Sequence, residues 1–376
     1  MEKIRMVDLQ AQYLHIKNEV DQAIEKVLSN ANFINGEEVG IFSDQLSKYL
    51  EADFVIPCAN GTDALQVALM ALNLPTKSEI LVPAFCYIAA AEVIAMLGYV
   101  PVFVDVDENT FNIDPKVIEK YITEQTKVII PVHLFGQSCD MLSIIKLAQK
   151  YNLYIIEDNA QSIGAVYKFP DGNQKFAGTI GHIGTTSFFP SKNLGCMGDG
   201  GAIFTNDEAL ADKMKMIVNH GQKKKYYHDI VGINSRLDTL QASILSVKLS
   251  KLDLYTQKRQ EAAKIYDSYF QKSIHVETPI TSSFTTHVFH QYTLKINNGR
   301  RNELKQFLDD KGIPAMIYYP VPLHLQQAFA FCGLKKGNYP ISEKLCDEVI
   351  SLPMHTELTL EQQTLIASSI TEFLNG

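Results

Sequence analysis

One lysine, Lys192, lies in a stretch of small and aromatic residues that runs from Ser187 to Gly195. Pro190 precedes this lysine by two positions and Gly195 follows it by three, so the pattern predicts a turn or a loop. Aromatic neighbours would keep water from the amine, and a desolvated lysine has a lowered pKa and attacks carbonyl carbons. The stretch is therefore typical of a Schiff-base lysine, although an ordinary loop lysine beside two phenylalanines would give the same pattern.

A second stretch carries a carboxylate where a bound ring would need one. The mostly apolar residues 153–156 predict a buried strand, and an acid pair ending in Asp158 follows at the expected strand end. Ligands of open α/β sheets bind beyond the carboxyl ends of the strands, where Asp158 could keep a pyridinium nitrogen protonated. Ala160 is small enough to lie under such a ring, and Gln161 could hydrogen-bond its phenolic oxygen. A helix N-cap is the alternative role for Asp158, but the lysine 34 positions later, Lys192, favours a cofactor site.

Both stretches resemble signatures of a known family, the nucleotide-sugar aminotransferases of the DegT/StrS type. The matching segments are Asp158–Gln161 and Ser187–Gly195, and the resemblance extends over nearly the whole chain, from Asp8 to Met354. Members of this family are fold-type I enzymes that depend on pyridoxal phosphate. The resemblance implies that pyridoxal 5'-phosphate is the cofactor and that Lys192 is the catalytic residue that binds it covalently.

Strands and helices alternate through the first two thirds of the chain. Short apolar runs at 79–83, 102–105 and 128–132 predict buried strands, and periodic apolar positions between them predict helices. This alternation is typical of an α/β fold with a mostly parallel sheet between helices. From about residue 255 the pattern changes to that of a smaller α+β unit. We expect a large cofactor-binding domain over 1–249, which includes an N-terminal helical segment, and a small domain over 250–376.

A small polar turn at residues 59–63 opens a predicted helix after a short strand at 54–57. The N-terminus of a helix presents free N–H groups and a positive dipole end to an anion. Gly61 and Thr62 are therefore candidate phosphate donors, although a plain helix cap would have the same sequence. The resemblance favours the phosphate site, and it implies that the hydroxyl of Ser187 donates to the same phosphate.

The resemblance adds candidates for the cofactor ring and the sugar. In the family an aromatic residue at the position of Tyr87 stacks on the ring, whereas a core position is the commoner place for a tyrosine in general. The segment 317–324 matches a family segment that borders the sugar site, so Tyr319 and His324 are candidate substrate-binding residues. Some members have histidine where this chain has Tyr318, which leaves the role of that position open.

Residues 232–238 precede a predicted long amphipathic helix, which extends from Leu240 to Leu254. In the resembling family this segment crosses the interface of a homodimer, and the residue at Asn234 contacts the phosphate that the partner subunit holds. Arg236 has a planar guanidinium suited to a carboxylate, so it could grip the amino donor or an acidic sugar. A local ion pair between Arg236 and Asp238 is the alternative.

Three lysines, two tyrosines and a histidine follow one another at 223–228, which is unusual in an acidic chain. Most charge runs of this kind are solvated loops. The functional alternative is an electropositive rim that binds the diphosphate of a nucleotide.

Composition limits the other classes of function. The 376 residues include 34 Lys and Arg against 42 Asp and Glu, a formal net charge of −8, which argues against nucleic-acid and anionic-membrane partners. No apolar run reaches the length of a transmembrane helix, and the N-terminus lacks the apolar core of a signal peptide. The six cysteines are scattered without a Cys-x-x-Cys motif. We therefore expect a cytoplasmic protein with free thiols and no metal site.

The resemblance predicts an aminotransferase that moves an amino group from glutamate to a keto-sugar nucleotide. Lys192, once released from the cofactor, would move a proton as general base and acid. The sugar would be a dTDP- or UDP-linked hexose, with 3-keto favoured over 4-keto because 226–228 and 232–238 look most like that branch. The product would be used for surface polysaccharide or glycoside synthesis. Two alternatives within the family are a sugar dehydratase, in which histidine replaces the lysine, and a non-catalytic regulatory protein.

Overall fold

The computed structural model describes residues 3–271, 273–297 and 299–375. Its strands are β1 (Phe54–Cys58), β2 (Glu79–Pro83), β3 (Val100–Val104), β4 (Thr126–Ile129), β5 (Tyr154–Asp158), β6 (Val166–Lys168), β7 (Gln174–Phe176), β8 (Ile183–Ser187), β9 (Gly201–Thr205), β10 (Gln222–Lys224), β11 (Tyr227–His228), β12 (Val276–Glu277), β13 (Tyr292–Ile296) and β14 (Val349–Leu352). A seven-stranded sheet with the order β1-β9-β8-β5-β4-β2-β3 forms the centre, and a three-stranded sheet has the order β12-β13-β14. The pairs β6-β7 and β10-β11 are separate hairpins.

Helices surround these sheets. They are α1 (Leu9–His15), α2 (Lys17–Asn30), α3 (Glu37–Leu50), α4 (Gly61–Leu72), α5 (Ala89–Met96), α6 (Pro115–Ile118), α7 (Met141–Tyr151), α8 (Glu208–Ile217), α9 (Thr239–Leu249), α10 (Leu252–Phe270), α11 (Arg301–Asp310), α12 (Pro340–Glu348) and α13 (Leu360–Asn375). Short 3-10 helices occur at Glu119–Tyr121, Leu134–Gly136, Leu323–Leu325 and Gln327–Cys332.

The central strands are buried on both faces, which explains their nearly continuous apolar runs. Side chains alternate between the two faces of a strand, and β2 shows this directly. Ile80 and Val82 belong to the apolar cluster that contains α4 and α5, whereas Leu81 belongs to the cluster that contains α7. The sheet therefore lies between two layers of helices, as the α/β pattern predicts.

Neighbouring strands from β8 to β3 are all parallel, so their carboxyl ends lie along one edge of the sheet. Strand β9 instead runs antiparallel to β8 and to β1. The chain returns from β8 to β9 through residues 188–200, which contain no helix. A short connection of this kind suits an antiparallel pair, whereas a parallel pair needs a crossover. The sheet is thus mostly parallel with one reversed strand.

The three-stranded sheet packs with α10, α11 and α13 around a second apolar cluster, which includes Tyr292 and Ile350. Ile4 belongs to the same cluster, and the Met354 N–H donates to the Met6 carbonyl at 3.3 Å. The N-terminal residues therefore pack on the C-terminal part of the chain. The predicted boundary between residues 249 and 250 falls directly after α9, and the division into two domains stays a prediction.

The predicted long helix from Leu240 to Leu254 is wrong in one respect, because the chain forms two helices there. Helix α9 ends at Leu249 and α10 begins at Leu252. Between them the Ser250 hydroxyl donates to the Val247 carbonyl at 2.8 Å. The apolar spacing continues across this break to Leu252 and Leu254, so the periodicity does not reveal it.

Candidate active site

Asp158 is the last residue of β5, at the edge of the sheet where the parallel strands end. The residue is 7% exposed, and its Oδ1 accepts the Ala160 N–H at 3.0 Å. Burial raises the pKa of this carboxyl, while the Ala160 N–H and the charge of Lys192 act in the opposite direction. The residues that follow form a turn and not a helix, so the alternative of a helix N-cap is wrong for Asp158.

Lys192 lies in the loop that links β8 to β9, and β8 is the parallel neighbour of β5. The backbone turns directly before it, where the Lys192 N–H donates to the Phe189 carbonyl at 2.8 Å. Burial lowers the pKa of its amine to about 8, and the Asp158 carboxylate opposes that shift. An appreciable fraction of the amine is therefore unprotonated near neutral pH, as attack on a carbonyl requires. Strand pairing thus brings together two residues that are distant in sequence.

Helix α4 begins directly against Ser187. A Cβ atom on Gly61 would lie 2.6 Å from the Ser187 Cβ, so only glycine allows this close approach. Asn60 supplies the cap of the helix, and the N–H groups of Gly61 and Thr62 have no acceptor within the helix. The Ser187 hydroxyl accepts the Phe189 N–H at 3.2 Å and keeps its own proton to donate. Two amides at a helix N-terminus beside a hydroxyl suit a phosphate group.

Gln161, Tyr319 and Tyr87 form a wall beside Asp158. Gln161 is 8% exposed, its Oε1 accepts the Phe135 N–H at 2.8 Å, and its Nε2 donates to the Tyr319 hydroxyl at 3.2 Å. One N–H of the Gln161 amide remains for a ring oxygen. Tyr87 is 57% exposed, with its ring 6.3 Å from that of Tyr319, so the alternative of a core aromatic is wrong for Tyr87.

The segment that holds Asn234 and Arg236 lies beside the start of α4. Ser235 between them is buried, and its hydroxyl accepts the Ala59 N–H at 3.1 Å. Asn234 is exposed, whereas Arg236 is half-buried and donates to Asn219 Oδ1 at 3.4 Å. Within the described chain Arg236 forms no ion pair with the neighbouring aspartate at position 238, so that alternative is also wrong.

His324 does not join this group of residues. Its side chain is fully buried, with Nε2 3.0 Å from Glu343 Oε1 and the ring edge-on to Tyr339 at 4.7 Å. Burial lowers the pKa of this imidazole, and Glu343 opposes the shift. The structure thus gives His324 a packing position without an open surface for a substrate, whereas Tyr319, on the same predicted segment, lies in the site.

Sequence reasoning missed the role of Glu157, a buried carboxylate behind the site. Its oxygens accept three N–H groups of the turn 178–181 at 2.5–2.9 Å, and Oε2 lies 2.8 Å from His133 Nε2. Because His133 Nδ1 accepts the Cys139 N–H at 3.1 Å, its ring proton is on Nε2 and points to Glu157. Glu157 thereby ties the end of β5 to the turn before β8. The acid pair with Asp158 was the signal available in the sequence.

Two further findings concern classes of site. Within residues 3–271, 273–297 and 299–375, none of the helices has the length and apolar character needed to cross a membrane. The same residues include no group of three or more His, Cys, Asp or Glu side chains that could hold a metal ion. All six cysteines carry free thiols, and five of these side chains are buried.

Residues 14–371 match the sequence profile of the DegT/DnrJ/EryC1/StrS aminotransferase family. A pleiotropic regulatory protein of Geobacillus stearothermophilus is 45% identical, with 98% of each chain covered. The UDP-2-acetamido-2-deoxy-3-oxo-D-glucuronate aminotransferase of Pseudomonas aeruginosa is 42% identical over 98% of this chain and 99% of its own. The dTDP-3-amino-3,6-dideoxy-alpha-D-galactopyranose transaminase of Aneurinibacillus thermoaerophilus is 40% identical with the same coverage.

Solved structures agree with this assignment. S. venezuelae DesV, in complex with a ketimine intermediate, superposes with a TM-score of 0.95 at 36% identity, with both chains fully covered. Bacillus subtilis ntda with bound cofactor PMP gives a TM-score of 0.90 at 31% identity, with 100% of this chain and 86% of the other covered. The fold is that of an aminotransferase. The chain belongs to the DegT/DnrJ/EryC1/StrS aminotransferase family, which confirms the predicted family, fold class and enzyme class.

Proposed function

We propose that this chain transfers the amino group of glutamate to a 3-keto sugar nucleotide, as a homodimer with shared active sites. The observation that carries the proposal is the meeting of Asp158 and Lys192 at the carboxyl ends of two neighbouring parallel strands, beside the start of α4. The cofactor is pyridoxal phosphate, because the chain belongs to an aminotransferase family whose solved relatives hold this cofactor or its amino form.

Pyridoxal phosphate supplies an aldehyde that carries the amino group and a protonated ring that takes up negative charge. The residues present fit each part of this molecule. Gly61, Thr62 and Ser187 would bind the phosphate, Asp158 would bind the ring nitrogen, Gln161 would bind the ring oxygen, and Tyr87 and Ala160 would lie against the ring. The close approach of Gly61 to Ser187 and the free helix amides there support the phosphate assignment.

Lys192 has two tasks in this arrangement. Its amine would hold the cofactor covalently in the resting enzyme. After an amino donor has replaced it, the free amine would carry a proton between the donor α-carbon and the carbonyl carbon of the cofactor. An amine with a pKa of about 8 can do both near neutral pH. Burial raises the pKa of Asp158, and a cationic ring beside it would oppose this shift and favour the ionised carboxylate, because an opposite charge lowers the pKa of a carboxyl.

The substrate class rests on two relatives and one surface. The relatives that are 42% and 40% identical have names that specify a 3-oxo sugar and a 3-amino sugar, one linked to UDP and the other to dTDP. The hairpin β10-β11 exposes Lys224 and Lys225, whose amines lie 5.3 and 5.2 Å from the ring centres of Tyr227 and Tyr226. Exposed cations beside aromatic rings suit a nucleoside diphosphate. Arg236 would bind a carboxylate of the donor or of an acidic sugar.

A regulatory role is the second candidate, because a 45% identical relative is a pleiotropic regulatory protein. Aminotransfer is favoured since Lys192, Asp158, Gln161 and Ser187 are all present and lie together. The dehydratase alternative is disfavoured by the lysine at 192, where such relatives have histidine. Visible absorbance after loading with the cofactor would favour an enzyme over a cofactor-free regulator. Release of ammonia without an amino donor would favour the dehydratase.

The proposal is tested with a panel of UDP- and dTDP-linked 3-keto and 4-keto hexoses and glutamate labelled with heavy nitrogen. We expect heavy nitrogen at C3 of one or more sugars, as identified by product NMR. Unlabelled glutamate with each sugar is the control. Label at C4, or no labelled sugar from any member of the panel, would contradict the proposal.

The proposed sharing of active sites between subunits leads to a separate prediction. Asn234 is exposed on the single chain and we assign it, with Arg236, to the partner's site, while Lys192 and Asp158 act in their own. Lys192→Ala in one chain and Asn234→Asp with Arg236→Ala in the other should each give a nearly inactive homodimer. In a mixed dimer one active site contains all three substitutions, and the other active site contains none of them. Subunit exchange between equal amounts should therefore restore about a quarter of wild-type activity, since about half of the dimers are mixed.

Mass spectrometry of the intact dimers confirms that exchange has taken place. If Asn234 and Arg236 instead serve the site of their own chain, no arrangement of these two variants contains a complete site. Confirmed mixed dimers without restored activity would therefore contradict the shared assignment.

A further inference from the structure

Helix α9 contacts the loop that carries Lys192 at two points. Gln241 Oε1 accepts the Met197 N–H at 2.8 Å, and Gln241 Nε2 donates to the Met197 carbonyl at 3.3 Å. Two helical turns later, Lys248 Nζ donates to the Gly195 carbonyl at 2.5 Å. Residues seven positions apart lie on the same face of a helix, so this face of α9 is directed at the loop.

Lys248 is an unusual residue for this position. It is 4% exposed, and within the described chain no carboxylate forms an ion pair with it. Burial of an unpaired ammonium group is unfavourable, and it lowers the pKa of Lys248 to about 8. An apolar side chain of similar length would fill the same space on the buried face of α9 without this cost. The bond to Gly195 is what the lysine adds.

The loop itself is tightly folded around Lys192. The Cys196 N–H donates to the Phe188 carbonyl and the Lys192 N–H to the Phe189 carbonyl, both at 2.8 Å. A Cβ atom on Gly195 would lie 2.3 Å from a carbonyl oxygen two residues before Lys192, so the chain folds back on itself there. The contacts from α9 to Gly195 and the following residues therefore act on the part of the loop that closes this turn.

We propose that Lys248 and Gln241 are positioning residues that hold the loop so that the Lys192 amine stays shielded from water and beside Asp158. The inference rests on the assignment of Lys192 as the cofactor lysine. It goes beyond that assignment because it attributes the position of the Lys192 side chain to a helix that contacts the loop, α9. Helix α9 begins three residues after Arg236, so the same helix connects the loop to the segment assigned to the partner's site.

The test uses the cofactor-free protein and Lys248→Met, which keeps an unbranched side chain and removes the donor. Trace labelling of amines with acetic anhydride at a series of pH values, followed by peptide mass spectrometry, gives the apparent pKa of Lys192. We expect about 8 in the wild type and a clear rise towards the ordinary 10.5 in Lys248→Met, because water enters the loosened loop. Gln241→Met should shift the pKa in the same direction by less.

Lys213→Met is the matched control. Lys213 also donates to a backbone carbonyl, that of Ala71 at 2.6 Å, but it joins α8 to the end of α4 and does not touch the loop. This variant should leave the pKa of Lys192 unchanged. In the loaded enzyme, the half-reaction with glutamate should slow by about ten- to a hundredfold in Lys248→Met and stay near wild type in Lys213→Met, since a misplaced reactive group lowers the rate by such factors.

An unchanged pKa of Lys192 in both Lys248→Met and Gln241→Met would overturn the inference. If Lys248→Met does not fold, the half-buried Gln241 decides alone, because its substitution removes one of the two contacts without altering the core. Failure of the proposed function is distinguishable from this outcome. It would show as a borohydride-reduced cofactor adduct on a lysine other than Lys192, whatever the pKa of Lys192.

Discussion

Lys192→Ala is expected to abolish sugar amination, with a loss of about 10⁴-fold or more in turnover. The variant removes the covalent attachment of the cofactor and also the general base and acid, which alone contributes about 10²–10⁴-fold. The rate of amino-sugar formation with glutamate, at saturating cofactor, measures this loss. Cofactor could still bind at its phosphate and ring nitrogen, since the residues assigned to them are untouched.

The variant should fold normally, because the side chain is half-buried in a loop and its charged form is unfavourable there. Thermal unfolding of the cofactor-free protein checks this point. Lys150→Ala is a suitable control, since Lys150 is exposed and its ion pair with Glu119 is on the surface. Normal sugar turnover by Lys192→Ala would contradict the mechanism.

Asp158→Asn is expected to slow both half-reactions by about 10²–10³-fold. Loss of one preorganised group that stabilises charge in the transition state costs about 2.7–4 kcal/mol, and about 1.36 kcal/mol corresponds to a factor of ten in rate. A neutral amide cannot keep the ring nitrogen protonated as a carboxylate does. Single-turnover mixing of the loaded protein with glutamate, followed by cofactor absorbance, measures the effect, and part of the cofactor should be retained.

The substitution at Asp158 removes the negative charge and can keep the local hydrogen bond. The amide oxygen of an asparagine can still accept the Ala160 N–H that Asp158 Oδ1 accepts at 3.0 Å. Asp114→Asn is the matched control, because Asp114 Oδ1 also accepts an N–H two residues later, from Lys116 at 3.0 Å, but outside the site. Single-turnover rates that are equal in Asp158→Asn, Asp114→Asn and the wild type would leave Asp158 with a structural role only.

Local chemistry accounts for what could be predicted from the sequence. The apolar run before Asp158 predicts β5, and Pro190 and Gly195 predict the loop around Lys192, because each signal lies within a few residues of the feature. The helix that begins at Gly61 follows from a small polar turn before apolar periodicity. These three elements place the main groups of the site.

Strand β8 escaped prediction because its residues, from Ile183 to Ser187, include one glycine and three hydroxyl side chains in place of an apolar run. The strand is nevertheless buried. A Cβ atom on Gly184 would lie 1.8 Å from the Gly178 carbonyl oxygen, so the small residue serves the packing of β8 against a turn. The formation of β8 therefore depends on tertiary packing, which no local sequence pattern shows.

Buried polar groups were hard to assign for the same reason. Glu157, Lys248 and His324 each find their partners far along the chain, at the turn 178–181, at Gly195 and at Glu343. A sequence shows that these side chains need partners when buried, but it does not show which ones. The prediction of His324 as a substrate residue and the omission of Glu157 both follow from this limit.

Reduction of the loaded protein with borohydride, followed by peptide mapping, tests the central claim most directly. Burial lowers the pKa of two lysines, Lys192 and Lys248, to about 8, so a low pKa alone does not identify the cofactor lysine. Only Lys192 has its charge beside Asp158, whereas Lys248 is bonded to the Gly195 carbonyl. The account predicts the reduced cofactor on Lys192 alone. An adduct on Lys248 or on any other lysine would contradict it.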